Sequence, residues 1–179
     1  MPCAGLDIFD AAQAKDWNAA SATLEKMTGA WDTYKAGEVP KMIEPRMTGD
    51  LAALAEAVDS RDSAQARQAA IDAARWSLDL QLQYRPPDQI DLARFDLWAA
   101  QLMVDAAAGD ANAVNGDFFA LDYIRDRILH TLDGADVTRI NTVLEELQGA
   151  VGDEDLAAAT DAAERLRETL AGLDAAPGR

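Results

Sequence analysis

Four stretches of this 179-residue chain repeat one pattern. AAQAKDWNAASATL, EAVDSRDSAQARQAA, DAAAGDANAVNGDF and QGAVGDEDLAAATD each run from small apolar residues through a polar residue and an aspartate into a second alanine-rich segment. The aspartates are Asp16, Asp62, Asp110 and Asp155, spaced 46, 48 and 45 residues apart. An aspartate just ahead of an alanine-rich run is placed to accept the backbone N–H groups that a helix start leaves unpaired. The recurrence therefore predicts four helical hairpins, and short connections make neighbouring helices antiparallel.

Apolar residues recur every three or four positions, and alternating Val, Ile and Thr runs of the strand type are missing. The expected fold is all-α: an antiparallel helical bundle of about four hairpins, folded as a single domain over residues 1–179. Breaks are expected at Gly37 to Pro40, Pro45, Gly49-Asp50, Tyr84 to Asp88, Gly109-Asp110, Asp133-Gly134 and Gly152-Asp153, which makes seven or eight helices. A short tetratricopeptide-like array is the alternative. The period here exceeds the roughly 34 residues of such repeats and lacks their Gly, Tyr and Pro pattern, so the compact bundle is preferred.

Sixteen Lys and Arg against 32 Asp and Glu leave a net charge of −16. Phosphate backbones and anionic membrane surfaces need clustered positive charge, so nucleic acid is not an expected partner. No stretch approaches the roughly 18 apolar residues of a membrane span. With one cysteine, Cys3, and one histidine, His130, an intramolecular disulfide and any site needing two imidazoles are excluded.

The stretch YRPPDQIDLARFDLWAAQ carries the strongest candidate site. At 100° per residue, Asp91, Arg94, Trp98, Gln101 and Asp105 fall within an arc of about 80°. Apolar rows flank that stripe on both sides, interrupted by Asp96, as expected of a central bundle helix. The preceding helix carries Gln68, Asp72, Arg75, Asp79 and Gln83 on one arc, with Trp76 beside it. Two readings follow. One is a solvated face with local ion pairs worth about 0.2–0.5 kcal/mol each. The other is a groove in which Arg75, Trp76, Asp91, Arg94, Trp98 and Gln101 bind a protein or a small polar ligand. On the next helix Arg125 sits among Val114, Phe118, Leu121 and Ile128 and needs a partner; folding back across Gly109-Asp110 brings it level with Asp91 and Asp96.

Chemical signatures are weak. DANAVNG starts like a calcium loop, but glycine falls one position late and Leu121 stands where a bidentate glutamate is needed. A di-iron carboxylate bundle needs Glu-x-x-His pairs, and Arg127 occupies that position before His130. No Gly-x-Ser-x-Gly elbow or phosphate-binding glycine loop occurs. The expectation is a non-enzymatic protein without a cofactor. The alternative is a metal or haem carrier using His130 with Met27, Met42, Met47 or Met103.

Tyr84-Arg-Pro-Pro, Asp91-x-x-Arg94 and Asp105-Ala-Ala-Ala-Gly-Asp110, with AKDWNAASATLEKMTGAW upstream, resemble uncharacterised bacterial cell-envelope helical proteins. In those, helical hairpins with Lys-Asp or Gly-Asp turns follow a lipoprotein signal. The resemblance implies an extracytoplasmic, non-catalytic binding or interaction module without an established ligand. The chain would be lipid-anchored if Cys3 follows a removed signal, and cytoplasmic if Met1 is the true start.

Overall fold

The computed structural model describes residues 4–174. Cys3, on which the lipid-anchor expectation rests, lies outside them. The described residues form eight α-helices: α1 Ala4–Gln13, α2 Trp17–Tyr34, α3 Glu44–Asp59, α4 Ser63–Gln81, α5 Pro87–Ala107, α6 Ala111–Ile128, α7 Gly134–Gly152 and α8 Leu156–Asp174. A 3-10 turn, Leu129–Thr131, extends α6. No strand occurs among the described residues, so the fold is all-α. None of these helices is long and apolar enough to cross a membrane.

The four hairpins share one construction. Two residues beyond the end of each first helix stands a residue in the left-handed region: Lys15 (φ 58°), Arg61 (φ 56°), Gly109 (φ 79°) and Glu154 (φ 55°). The next residue is the capping aspartate. Its own N–H bonds back to the carbonyl five residues earlier, on Ala11, Ala57, Asp105 and Ala150 respectively. The left-handed residue bonds three back, to Ala12, Val58, Ala106 and Val151. This paired closure satisfies the last carbonyls of the outgoing helix. The aspartate side chain then accepts the incoming helix's free N–H groups: Ala19 N, Ala64 N, Ala113 N and Ala158 N each lie 3.0 Å away. One residue thus closes one helix and opens the next.

The hairpins assemble in twos. Helices α1 to α4 form one compact unit ending at Gln83, and α5 to α8 form a second beginning at Tyr84. In the first unit α1 packs on α2 and α4, and α3 packs on α4 and α2, closing a four-helix ring. The second repeats this ring with α5 to α8. In each, the seam between the second and third helices is the least extensive. The first core holds Ile8, Phe9, Leu54, Ile71 and Leu78, all nearly inaccessible; the second holds Phe95, Leu97, Leu121, Ile140 and Leu147. At the α1–α4 contact a side chain on Gly5 would meet the Ala70 carbonyl oxygen and the Ala74 Cβ at 2.7 Å, so glycine permits the approach. Ser63 Oγ donates to Ala12 O at 2.7 Å and ties the start of α4 to the end of α1.

One expected break is absent, and the one expected at Pro45 is the start of α3. Gly49-Asp50 lies inside α3, since a mid-helix glycine costs only about 1 kcal/mol and the buried row Met47, Leu51 and Leu54 outweighs it. Pro45 sits in the first turn of that helix, where it has no intrahelical N–H to lose. At the double-proline break, Pro86 is the N-cap and Pro87 begins α5; Asp88 lies in the first turn and makes no cap. Proline's fixed φ starts the helix there without a side-chain cap.

Candidate functional site

The six residues singled out in the sequence divide between the units. Arg75 and Trp76 lie on α4, while Asp91, Arg94, Trp98 and Gln101 lie on α5.

On α4 the Trp76 indole N–H donates to Asp50 Oδ2 at 2.8 Å, and the Arg46 guanidinium sits 5.2 Å from the ring centroid. Arg75 pairs with Asp72 at 3.7 Å, and Gln68 Nε2 donates to the same Asp72 oxygen at 3.2 Å. Burial raises the Asp72 carboxyl above its ordinary pKa; Gln68 and Arg75 pull it back, and Asp50 adds to the rise. These contacts join α3 to α4 through polar groups on the rim of the first core.

On α5 the stripe is only partly solvated: Asp91 and Gln101 are 4% and 6% exposed, while Arg94, Trp98 and Asp105 are half-buried. Gln101 Nε2 donates to Asp105 Oδ2 at 3.0 Å. Asp91 is held by Arg127 of α6, whose Nε and Nη2 lie 2.8 and 2.7 Å from Oδ2, and by Arg94 at 3.5 Å from Oδ1. Hydrogen bonds to the Tyr123 hydroxyl and then to Asp91 raise the Arg127 pKa further. Asp96 takes Arg167 Nε of α8 at 2.7 Å. Trp98 lies half-buried on the same helix.

The pairing expected for Arg125 is corrected by this geometry. The hairpin does bring this part of α6 level with Asp91, but a helix turns about 200° over two residues, so Arg127 faces α5 and Arg125 does not. Arg125 bonds instead to Asp122 at 2.9 Å and Asp126 at 2.8 Å on its own helix. The candidate stripe therefore contributes a cross-helix clamp in which two part-exposed arginines hold the buried Asp91 carboxylate.

An open site lies elsewhere in the second unit. Between α6 and α7 runs a cleft of about 310 Å³, lined by Phe118, Asp122, Arg125, Leu129, Asn141, Leu144, Glu145 and Gln148. Phe118 and Leu144 are 7% and 3% exposed and form its apolar floor. Asp122 and Glu145 place carboxylates on opposite helices. Asn141 Oδ1 is buried and accepts no hydrogen bond. Beside the cleft, Phe119 and Tyr123 stand 61% and 65% exposed. Sequence reasoning passed over this face. The available signal was two aromatics one turn apart, outside the row formed by Val114, Leu121 and Ile128, where a bundle helix is expected to be polar.

For metal or haem, His130 is exposed on the 3-10 turn. Met103 is buried on α5, Met27 and Met47 are buried in the first unit, and Met42 is 75% exposed. Among the described residues no three His, Cys, Asp or Glu side chains gather as a metal site. Compared with known proteins, the chain matches no protein-family model, no curated protein and no solved structure.

Proposed function

We propose that the chain is a non-catalytic interaction module which binds a basic amphipathic segment of a protein partner on α6 and the α6–α7 cleft. The observation that carries this reading is the exposed pair Phe119 and Tyr123 beside an apolar-floored cleft with carboxylates on both sides. Aromatic side chains supply large contact areas at interfaces, and an acidic surface steers and orients a basic partner. The net charge of −16 supports the same sign of partner. An extracytoplasmic setting in the bacterial cell envelope belongs to this proposal and has the sequence resemblance as its support.

A synthetic helical peptide of Lys, Leu and Ala, and its Glu-for-Lys counterpart, test the reading by calorimetry and by amide chemical shifts. The lysine peptide is expected to perturb amides of α6 and α7, to weaken as salt rises, and to lose roughly tenfold in affinity with Phe119→Ala and Tyr123→Ala combined. Equal binding of the glutamate peptide, or no binding of either, rejects the proposal.

A further inference from the structure

We propose that the α6–α7 cleft receives a tryptophan side chain of the partner, flanked by lysine or arginine; this rests on the interaction-module reading above. The argument comes from the protein's own first unit. Counting from the capping aspartates puts the two units in register. Trp31 lies fifteen residues after Asp16, and Arg125 fifteen after Asp110. Thr48 lies fourteen before Asp62, and Asn141 fourteen before Asp155.

In the first unit these positions shut the seam between the second and third helices. Trp31 is 4% exposed and its indole N–H donates to Thr48 Oγ1 at 3.2 Å. The floor beneath is Leu24 and Leu51, each buried. In the second unit the equivalent floor is Phe118 and Leu144, again buried. Arg125 stands where the indole does and lines the cleft, but its guanidinium is held by Asp122 and Asp126 and makes no hydrogen bond to the acceptor on α7. The acceptor remains: Asn141 Oδ1, at the position of the Thr48 hydroxyl, is buried without a donor. A buried acceptor without a partner carries a desolvation penalty that an incoming N–H relieves.

The rims differ in a way that specifies the rest of the ligand. Where the first unit has Thr28 and Ala52, the second has Asp122 and Glu145. The cleft measures about 310 Å³, at the lower end of the size range of small-ligand pockets. Asp122 is already paired with Arg125 at 2.9 Å, so the charge that selects a basic neighbour is the Glu145 carboxylate. With the apolar floor and the hydrogen-bond acceptor, that carboxylate matches a tryptophan beside a lysine or arginine. Tryptophan is also a residue type that concentrates binding energy when buried in a partner's pocket.

The test compares the Lys, Leu and Ala peptide with a version carrying tryptophan in place of one leucine. The tryptophan peptide is expected to bind the wild-type protein at least tenfold more tightly. Asn141→Leu is expected to remove most of that gain. Arg125→Trp combined with Asn141→Thr transplants the closure of the first unit; it is expected to abolish the gain and raise Tm. Equal affinity of the two peptides overturns the inference while leaving the interaction module standing, whereas binding of neither overturns both. Full retention of the gain in Asn141→Leu also overturns it, and that variant decides the matter if the double variant does not fold. Free tryptamine binding as tightly as the peptide assigns the cleft to small amines and overturns the peptide anchor.

Discussion

The two four-helix units share hairpin geometry, ring order and the position of their weakest seam, yet treat that seam in opposite ways. In the first, an indole and a threonine hydroxyl fill it. In the second, an arginine and an asparagine at the same register leave it open. Closure is therefore not a property of the four-helix ring. It depends on whether the residue fifteen positions after the capping aspartate is apolar and large enough to reach across. Trp31 is buried in its seam, whereas Arg125 keeps its guanidinium on two carboxylates of its own helix.

The largest effect expected from this contrast is on stability. Trp31→Ala removes a side chain that is 4% exposed and leaves a cavity, so it should cost about 3–5 kcal/mol in denaturant unfolding. Arg125→Ala removes a side chain engaged with acids that are 44% and 67% exposed, and should change stability by no more than about 0.5 kcal/mol. Similar losses from both would mean that the α6–α7 seam is as tightly closed as its counterpart.

How far the sequence disclosed this structure follows from the range of the interactions involved. The capping aspartates were legible because a cap and the turn before it act within a few residues, and all four aspartates do what their position implies. The pairing of α1 with α4 and of α5 with α8 involves residues far apart in the chain, and no local pattern encodes it. Gly5 hints at a close approach without naming the neighbour. The candidate site was legible in composition but not in role. Asp91 and Arg94 share a face as the helical period requires, yet the residue that makes Asp91 a structural anchor is Arg127, selected by a rotation of the opposite helix. Phe119 and Tyr123 were visible as aromatics, but which face of α6 stays open depends on α7. Asn141 carries no signal at all until the units are laid in register.

A smaller effect separates the hairpin turns. The left-handed position is glycine in the α5–α6 turn but Lys15, Arg61 and Glu154 in the others. A side chain there crowds the following carbonyl, so the three non-glycine turns each hold some strain. Lys15→Gly, Arg61→Gly and Glu154→Gly should each raise stability by about 0.5–1 kcal/mol, because strain relief exceeds the added freedom of the unfolded chain. Gly109→Ala should lower it by about 1 kcal/mol for the converse reason. Thermal melts of the four variants read this directly. A destabilised Lys15→Gly would show that its side chain contributes contacts that outweigh the backbone strain.

The smallest expected effect is a pH dependence that belongs to the first unit. Asp72 faces Gln68 and Arg75 on α4 and Asp50 on α3, and burial lifts its carboxyl above the ordinary value of 3.8. The position ten residues after the capping aspartate is Asp72 in the first unit and Arg165 in the second, so this carboxylate has no counterpart there. A raised folded-state pKa means that the folded chain holds the proton more tightly than the unfolded chain. Above the raised value both forms are ionised and the burial penalty is present in full. As pH falls from there toward 3.8 the folded state takes up the proton first, and this contribution to stability grows. Asp7, lifted by burial and then by Asp10, acts in the same sense on α1. Asp72→Asn keeps an acceptor for Gln68 and removes the titration. Unfolding measured from neutral pH down to about pH 4 should therefore show the variant at or slightly above wild type at neutrality, with the difference shrinking or reversing as the pH drops. A difference that widens in favour of the variant on acidification would mean that the Arg75 pair outweighs burial and that Asp72 titrates below its ordinary range.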